Sequence, residues 1–97
     1  MMTIEGRPAR ILLVEDNPGD VRLVREAFRA EKISHQLSVV SDGEAALDYL
    51  RRSKDSDTPL PDLILLDLNL PRLHGHSVLR AIKADETLRH IPVVILS

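Results

Sequence analysis

The sequence predicts an α/β fold built on a parallel sheet, and three observations carry that prediction. Short apolar runs alternate with segments whose apolar residues recur every three or four positions. The runs Ile11-Leu12-Leu13-Val14 and Leu63-Ile64-Leu65-Leu66 show no polar face, as strands covered on both sides require. The order of the patterns, βαβαβαβ, implies parallel strands joined by right-handed crossovers.

The first strand is expected over residues 11–14, ending in Glu15-Asp16. Asn17-Pro18 reads as an N-cap followed by proline at the first helical position. Val21, Val24 and Phe28 then fall on one helical face, and the helix should reach residue 31 or 32. Residues 35–40 form a weaker strand, with Leu37 and Val39 on one face. Ser41-Asp42-Gly43-Glu44 resembles a capping box, with either Ser41 or Asp42 as the cap. Ala46, Leu47 and Leu50 give the second helix its apolar stripe. Residues 52–61 are polar with two prolines and are expected to be a loop, residues 53–57 a flexible part of it. Residues 62–67 form the clearest strand, and Pro71 helps to fix the loop after it. Val78, Leu79 and Ile82 mark a third helix that starts between residues 75 and 77 and fades near Asp85. Pro92 opens a last strand over residues 93–97, a position where strands tolerate proline.

A chain of 97 residues with 43% hydrophobic content fits one compact domain, expected to span residues 10–97 after a short extension over residues 1–9. The net charge of -2 and the scatter of Lys and Arg give no basic field for direct nucleic-acid binding. Only Phe28 and Tyr49 are aromatic, too few for base stacking. Phe28 is expected in the core and Tyr49 against its own helix face. With no cysteine, disulfides, a thiolate zinc site and a thiol nucleophile are excluded. No apolar run reaches signal-peptide length or the ~20 residues that span a bilayer, so a cytoplasmic protein without membrane attachment is expected. Neither nucleotide-binding glycine motif occurs. The histidines at 35, 74, 76 and 90 read as solvated surface residues.

The chemistry concentrates in three acids. Glu15-Asp16 follow the first strand and Asp67 follows the third. In open α/β sheets, sites form beyond the carboxyl ends of strands at a topological switch point. Adjacent strand ends lie ~4.8 Å apart, so three carboxylates would share one crevice. Alone they raise one another's pKa. A hard cation such as Mg²⁺ relieves the repulsion, and a carboxylate beside it can act as nucleophile and form an acyl phosphate. Taken singly, each acid is equally well read as a helix cap or a solvated loop residue.

Beyond these residues, whole segments resemble the receiver domains of bacterial two-component response regulators, the CheY-like family. They are Ile11-Leu12-Leu13-Val14-Glu15-Asp16-Asn17, Ser41-Asp42-Gly43-Glu44-Ala45-Ala46-Leu47, the stretch from Pro61 to Pro71, Gly75, and Ile91-Pro92-Val93-Val94-Ile95-Leu96-Ser97. The resemblance runs from about residue 10 to the end. Glu15-Asp16-Asn17-Pro18-Gly19-Asp20 and Asp67-Leu68-Asn69-Leu70-Pro71 look most like stand-alone regulators paired with bacterial phytochromes. The resemblance implies a flavodoxin-like doubly wound sheet with strand order 2-1-3-4-5. It implies that Asp67 is the phosphorylated residue, Asp16 a direct Mg²⁺ ligand, Glu15 a ligand through water, and the Asn69 backbone carbonyl a third protein ligand. Ser97 matches the switch hydroxyl that hydrogen-bonds the phosphoryl group, and Pro71 and Gly75 match positions that shape the loop. The implied partner is a sensor histidine kinase, possibly of phytochrome type.

The family continues past the position of Ser97 through a further helix, strand and helix, so these 97 residues are expected to be either part of a longer protein or a truncation, and none of Lys32, Lys54 and Lys83 matches the lysine at the end of the family's fifth strand. The 97-residue chain alone is therefore expected to expose its fourth strand and to self-associate, as a homodimer or by strand swapping. The leading reading is a phosphorylation-controlled signalling switch that catalyses only its own phosphoryl transfer and dephosphorylation. A phosphorylation-independent interaction scaffold is one alternative. An aspartate-nucleophile phosphohydrolase is another, opposed by Asn69 where such enzymes place a second acid.

Overall fold

The computed structural model describes residues 6–56, 59–70 and 74–96. Its elements are β1 (Ala9–Val14), α1 (Pro18–Ala30), β2 (His35–Val40), α2 (Gly43–Asp55), β3 (Leu63–Leu66), α3 (Gly75–Ala84) and β4 (Val93–Ile95). All pairings are parallel, in the order β2-β1-β3-β4. The βαβαβαβ order and the flavodoxin-like arrangement of these four strands agree with the sequence reading.

Alternation along the central strands explains their unbroken hydrophobicity. Leu12, Val14, Ile64 and Leu66 face α2 and α3, where they join Ala46, Leu50, Val78 and Ile82. Ile11, Leu13 and Leu65 face α1, whose Val21, Val24 and Phe28 pack over them. Leu12, Leu13, Ile64 and Leu66 are among the side chains wholly removed from water. Burial of that kind stabilises by roughly 1.5–3 kcal/mol per side chain. The helices therefore lie on opposite faces, and the chain changes face between β1 and β3.

Local signals set most boundaries. Asn17 caps α1, its side chain accepting from the Gly19 and Asp20 amides. Asp42, the second of the two expected candidates, caps α2 by accepting from the Ala45 amide. At the end of α1, Lys32 adopts φ 56°. The Ile33 amide then donates to Phe28 O and the Lys32 amide to Arg29 O, which closes the helix in a Schellman motif.

Several expectations are corrected. Strand β1 begins at Ala9, where pairing with His35 extends it beyond the apolar run. Strand β3 is shorter than expected at both ends, Asp62 and Asp67 lying just outside it. Residues 52–55 are helical rather than loop. Ser53 continues the Ala46–Leu50 stripe at the next helical step and is 5% exposed, while Lys54 pairs with Asp85 at 2.7 Å. His35 is half-buried, with Nδ1 2.7 Å from Ile33 O and its ring 5.1 Å from that of Phe28. Phe28 is itself only half-buried. Tyr49 reaches beyond its helix to donate to Ser38 Oγ at 3.1 Å. His74, His76 and His90 are exposed, as expected. Among the described residues, no helix is long and apolar enough to cross a membrane.

Candidate metal and phosphoryl-acceptor site

The carboxyl ends of β1 and β3 lie side by side because Val14 and Leu66 are register partners. The ladder runs one step past both strands. The Asp67 amide donates to Val14 O at 3.1 Å, and the Glu15 amide donates to Val40 O at 3.0 Å. These bonds fix the level at which the two acidic loops leave the sheet. They do so at the place where the chain changes face, which is where open α/β sheets form their sites.

Three carboxylates meet there. One oxygen each from Glu15, Asp16 and Asp67 lies within 4.8 Å of the others. Glu15 and Asp67 are buried, at 4% and 7% exposure, whereas Asp16 faces solvent. Burial, a hydrogen bond with the Asp67 carboxyl and the charges of Asp67 and Asp20 push Glu15 up to about 7, against a lowering contribution from the Asn17 amide. Carboxyl groups this close disfavour joint ionisation. The donor set, all oxygen and partly open to water, fits a hard divalent cation that keeps some of its waters.

Backbone amides two residues on orient two of the acids. The Asn17 amide donates to Glu15 Oε1 at 3.1 Å, and the Asn69 amide donates to Asp67 Oδ1 at 2.9 Å. Gly75, at the start of α3, braces the Asp67 loop from below. Its amide donates to Leu68 O at 3.3 Å. A Cβ at Gly75 would stand 2.4 Å from Leu68 Cα and 2.7 Å from Asp67 O, so only glycine permits this approach.

Of the residues expected at the site, the structure brings Glu15, Asp16 and Asp67 together and sets Asn69 and Gly75 against Asp67. Pro71 and Ser97 lie outside the described residues. None of the three lysines reaches the cluster. Lys32 ends α1, Lys54 pairs with Asp85, and Lys83 points to Arg89 O at 3.4 Å. Two residues were not read from the sequence as part of the site. Asn17 is legible as a cap, but its bond to Glu15 is not. Asp20 borders a cavity of about 360 Å³ beside Glu15, lined also by Leu23, Val24 and Leu96. Its place in the first turn of the helix after the acids was the available signal.

Known proteins resemble the chain in both sequence and fold. A family model described as the response regulator receiver domain matches residues 11–97. Response regulator Rcp1 of Synechocystis sp. is 45% identical over 98 residues, covering 99% of this chain and 67% of that protein. The crystal structure of the phosphorylated cyanobacterial phytochrome response regulator RcpA superposes with a TM-score of 0.84 at 48% identity, covering 93% of this chain and 65% of its own. The receiver domain of sensor histidine kinase PA1611 from Pseudomonas aeruginosa PAO1, solved with a magnesium ion in its active-site cleft, superposes with a TM-score of 0.77 at 33% identity, covering 93% and 67%. The chain thus spans about two thirds of the length of these relatives.

Proposed function

The chain belongs to the response regulator receiver family, and from that premise we propose that Asp67 accepts a phosphoryl group from a phosphohistidine of a sensor histidine kinase. The observation that carries this reading is the convergence of Glu15, Asp16 and Asp67 within 4.8 Å at the end of the sheet. An Asp67 oxygen bonds to phosphorus as the phosphorus–nitrogen bond of the donor breaks. The imidazole leaves, and an acyl phosphate remains on Asp67. The Asn69 amide keeps the carboxylate oriented during attack.

In this reading Asp16, Asp67 and the Asn69 carbonyl hold Mg²⁺ directly, and Glu15 holds it through water. The bound ion supplies positive charge that neutralises the transferring phosphoryl oxygens. The magnesium-bound PA1611 receiver domain and the all-oxygen donor set here support that choice of metal. Ser97 is assigned the hydrogen bond to the phosphoryl group, and Pro71 and Gly75 the shaping of the loop. The phosphorylated RcpA structure and the Rcp1 likeness support a phytochrome-type kinase as donor. A cytoplasmic location, a receiver domain over residues 10–97 and the absence of small-metabolite turnover belong to the same proposal. Exposed Val94 and Ile95 on β4, and Leu96 just beyond it, support self-association of the 97-residue chain when it is alone.

Intact mass after incubation with Mg²⁺ and acetyl phosphate tests the reading. The protein should gain one phosphoryl group, and Asp67→Asn and Asp16→Asn variants should gain none. Equal gain in Asp67→Asn would move the acceptor elsewhere, and no gain in the parent protein would favour the scaffold.

A further inference from the structure

We propose that Asn17 is a positioning residue for the metal site, setting the direction of both acids that precede it; the inference rests on the metal reading above. Asp16, the outermost acid, is exposed and makes no hydrogen bond or ion pair with any described residue. Its position is therefore inherited from its two neighbours. On one side, the Glu15 amide is tied to Val40 O at 3.0 Å. On the other side stands Asn17, which has three bonds into α1. Its Oδ1 accepts from the Gly19 amide at 2.8 Å and the Asp20 amide at 3.3 Å, and its carbonyl accepts from the Val21 amide at 3.0 Å.

Those three bonds hold residue 17 extended, at φ -94° and ψ 114°. With the residue so held, its own amide has one direction, and that direction meets Glu15 Oε1 at 3.1 Å. The helix cap and the acid clamp are thus one device. Pro18, which has no amide proton, leaves the first turn without a competing donor, and a Cβ at Gly19 would stand only 3.2 Å from Asn17 Oδ1. The sequence Asn17-Pro18-Gly19-Asp20 is built around that single acceptor. Holding mutually repelling carboxylates converged before the cation arrives is the kind of outer support on which metal affinity depends.

The test is calorimetric titration of the full chain with Mg²⁺, paired with the melting temperature measured without metal. Glycine is a serviceable N-cap, so Asn17→Gly should melt close to the parent protein while removing the two Oδ1 bonds that hold residue 17 and leaving only its carbonyl bond to the Val21 amide. Its Mg²⁺ affinity should fall by about 10-fold, the lower end of the usual effect of losing an outer-shell partner. Asn17→Ser restores an acceptor at the same place and should recover most of the affinity. Parent affinity in Asn17→Gly, with binding lost in Asp16→Asn, would overturn the positioning role and leave the metal site standing. A serine variant as weak as the glycine variant would also overturn it. Absence of Mg²⁺ binding by the parent protein would overturn the metal reading itself, and this inference with it.

Discussion

At Glu15, burial and the adjoining Asp67 carboxyl push the side chain up to about 7, from an ordinary value of 4.5. The sign of the linkage follows. The folded metal-free protein holds this proton more tightly than the unfolded chain does. Glu15 therefore removes stability as pH rises from about 4.5 to about 7. A cation competes for the place of that proton, so the rise in melting temperature on adding Mg²⁺ should be larger at about pH 8 than at about pH 5.5. A rise independent of pH would separate Glu15 from the cation. Gly75 gives a steric prediction at the same scale. Gly75→Ala forces a Cβ against the Leu68 backbone and should cost roughly 1–3 kcal/mol in chemical denaturation while weakening Mg²⁺ binding. The three acids were legible in the sequence because two apolar runs both end in them. The bond from the Asn17 amide to Glu15 was not, because it depends on a side-chain rotamer and a loop dihedral that no spacing encodes.

Among the elements, helix α1 ends at a cost. Lys32 holds φ 56°, a conformation that disfavours residues with a Cβ, and Lys32→Gly should stabilise the protein by about 1 kcal/mol in urea unfolding. Strand β3 is pinned at its start by Arg7, whose guanidinium bonds both Asp62 oxygens at 2.8 and 2.9 Å. That pair, aided by the Arg10 amide, lowers Asp62 to about 2. Its stabilisation is present above the unfolded value of 3.8 and is lost as pH falls from there to about 2. Both side chains are partly solvated, so Arg7→Ala should remove only about 1–2 kcal/mol near neutral pH, and much less at about pH 2. Element order and most helix starts were legible, since caps such as Asn17 and Asp42 are local. The ends were less so. Helix α2 outlasts its apolar stripe because Ser53 is small enough to bury and Lys54 finds Asp85 across α3's end. Strand β1 gains Ala9 and Arg10 from a partner strand remote in sequence.

For the whole molecule, function follows from where the sheet changes face. Helix α1 covers one side of β1 while α2 and α3 cover the other, and the loops after β1 and β3 part in opposite directions above the strand ends. That divergence opens the crevice which Glu15, Asp16 and Asp67 line. The βαβαβαβ pattern implied such a crevice, but pattern alone did not determine which strands are neighbours. The β2-β1-β3-β4 order, expected only from family resemblance, makes the acids adjacent. The most direct test of the account is to treat the protein with acetyl phosphate, reduce any acyl phosphate with borohydride, and map the resulting homoserine by peptide mass spectrometry. The account predicts homoserine at position 67 in the presence of Mg²⁺ and none after chelation. Homoserine at another acid, or the same yield without a divalent cation, would contradict it.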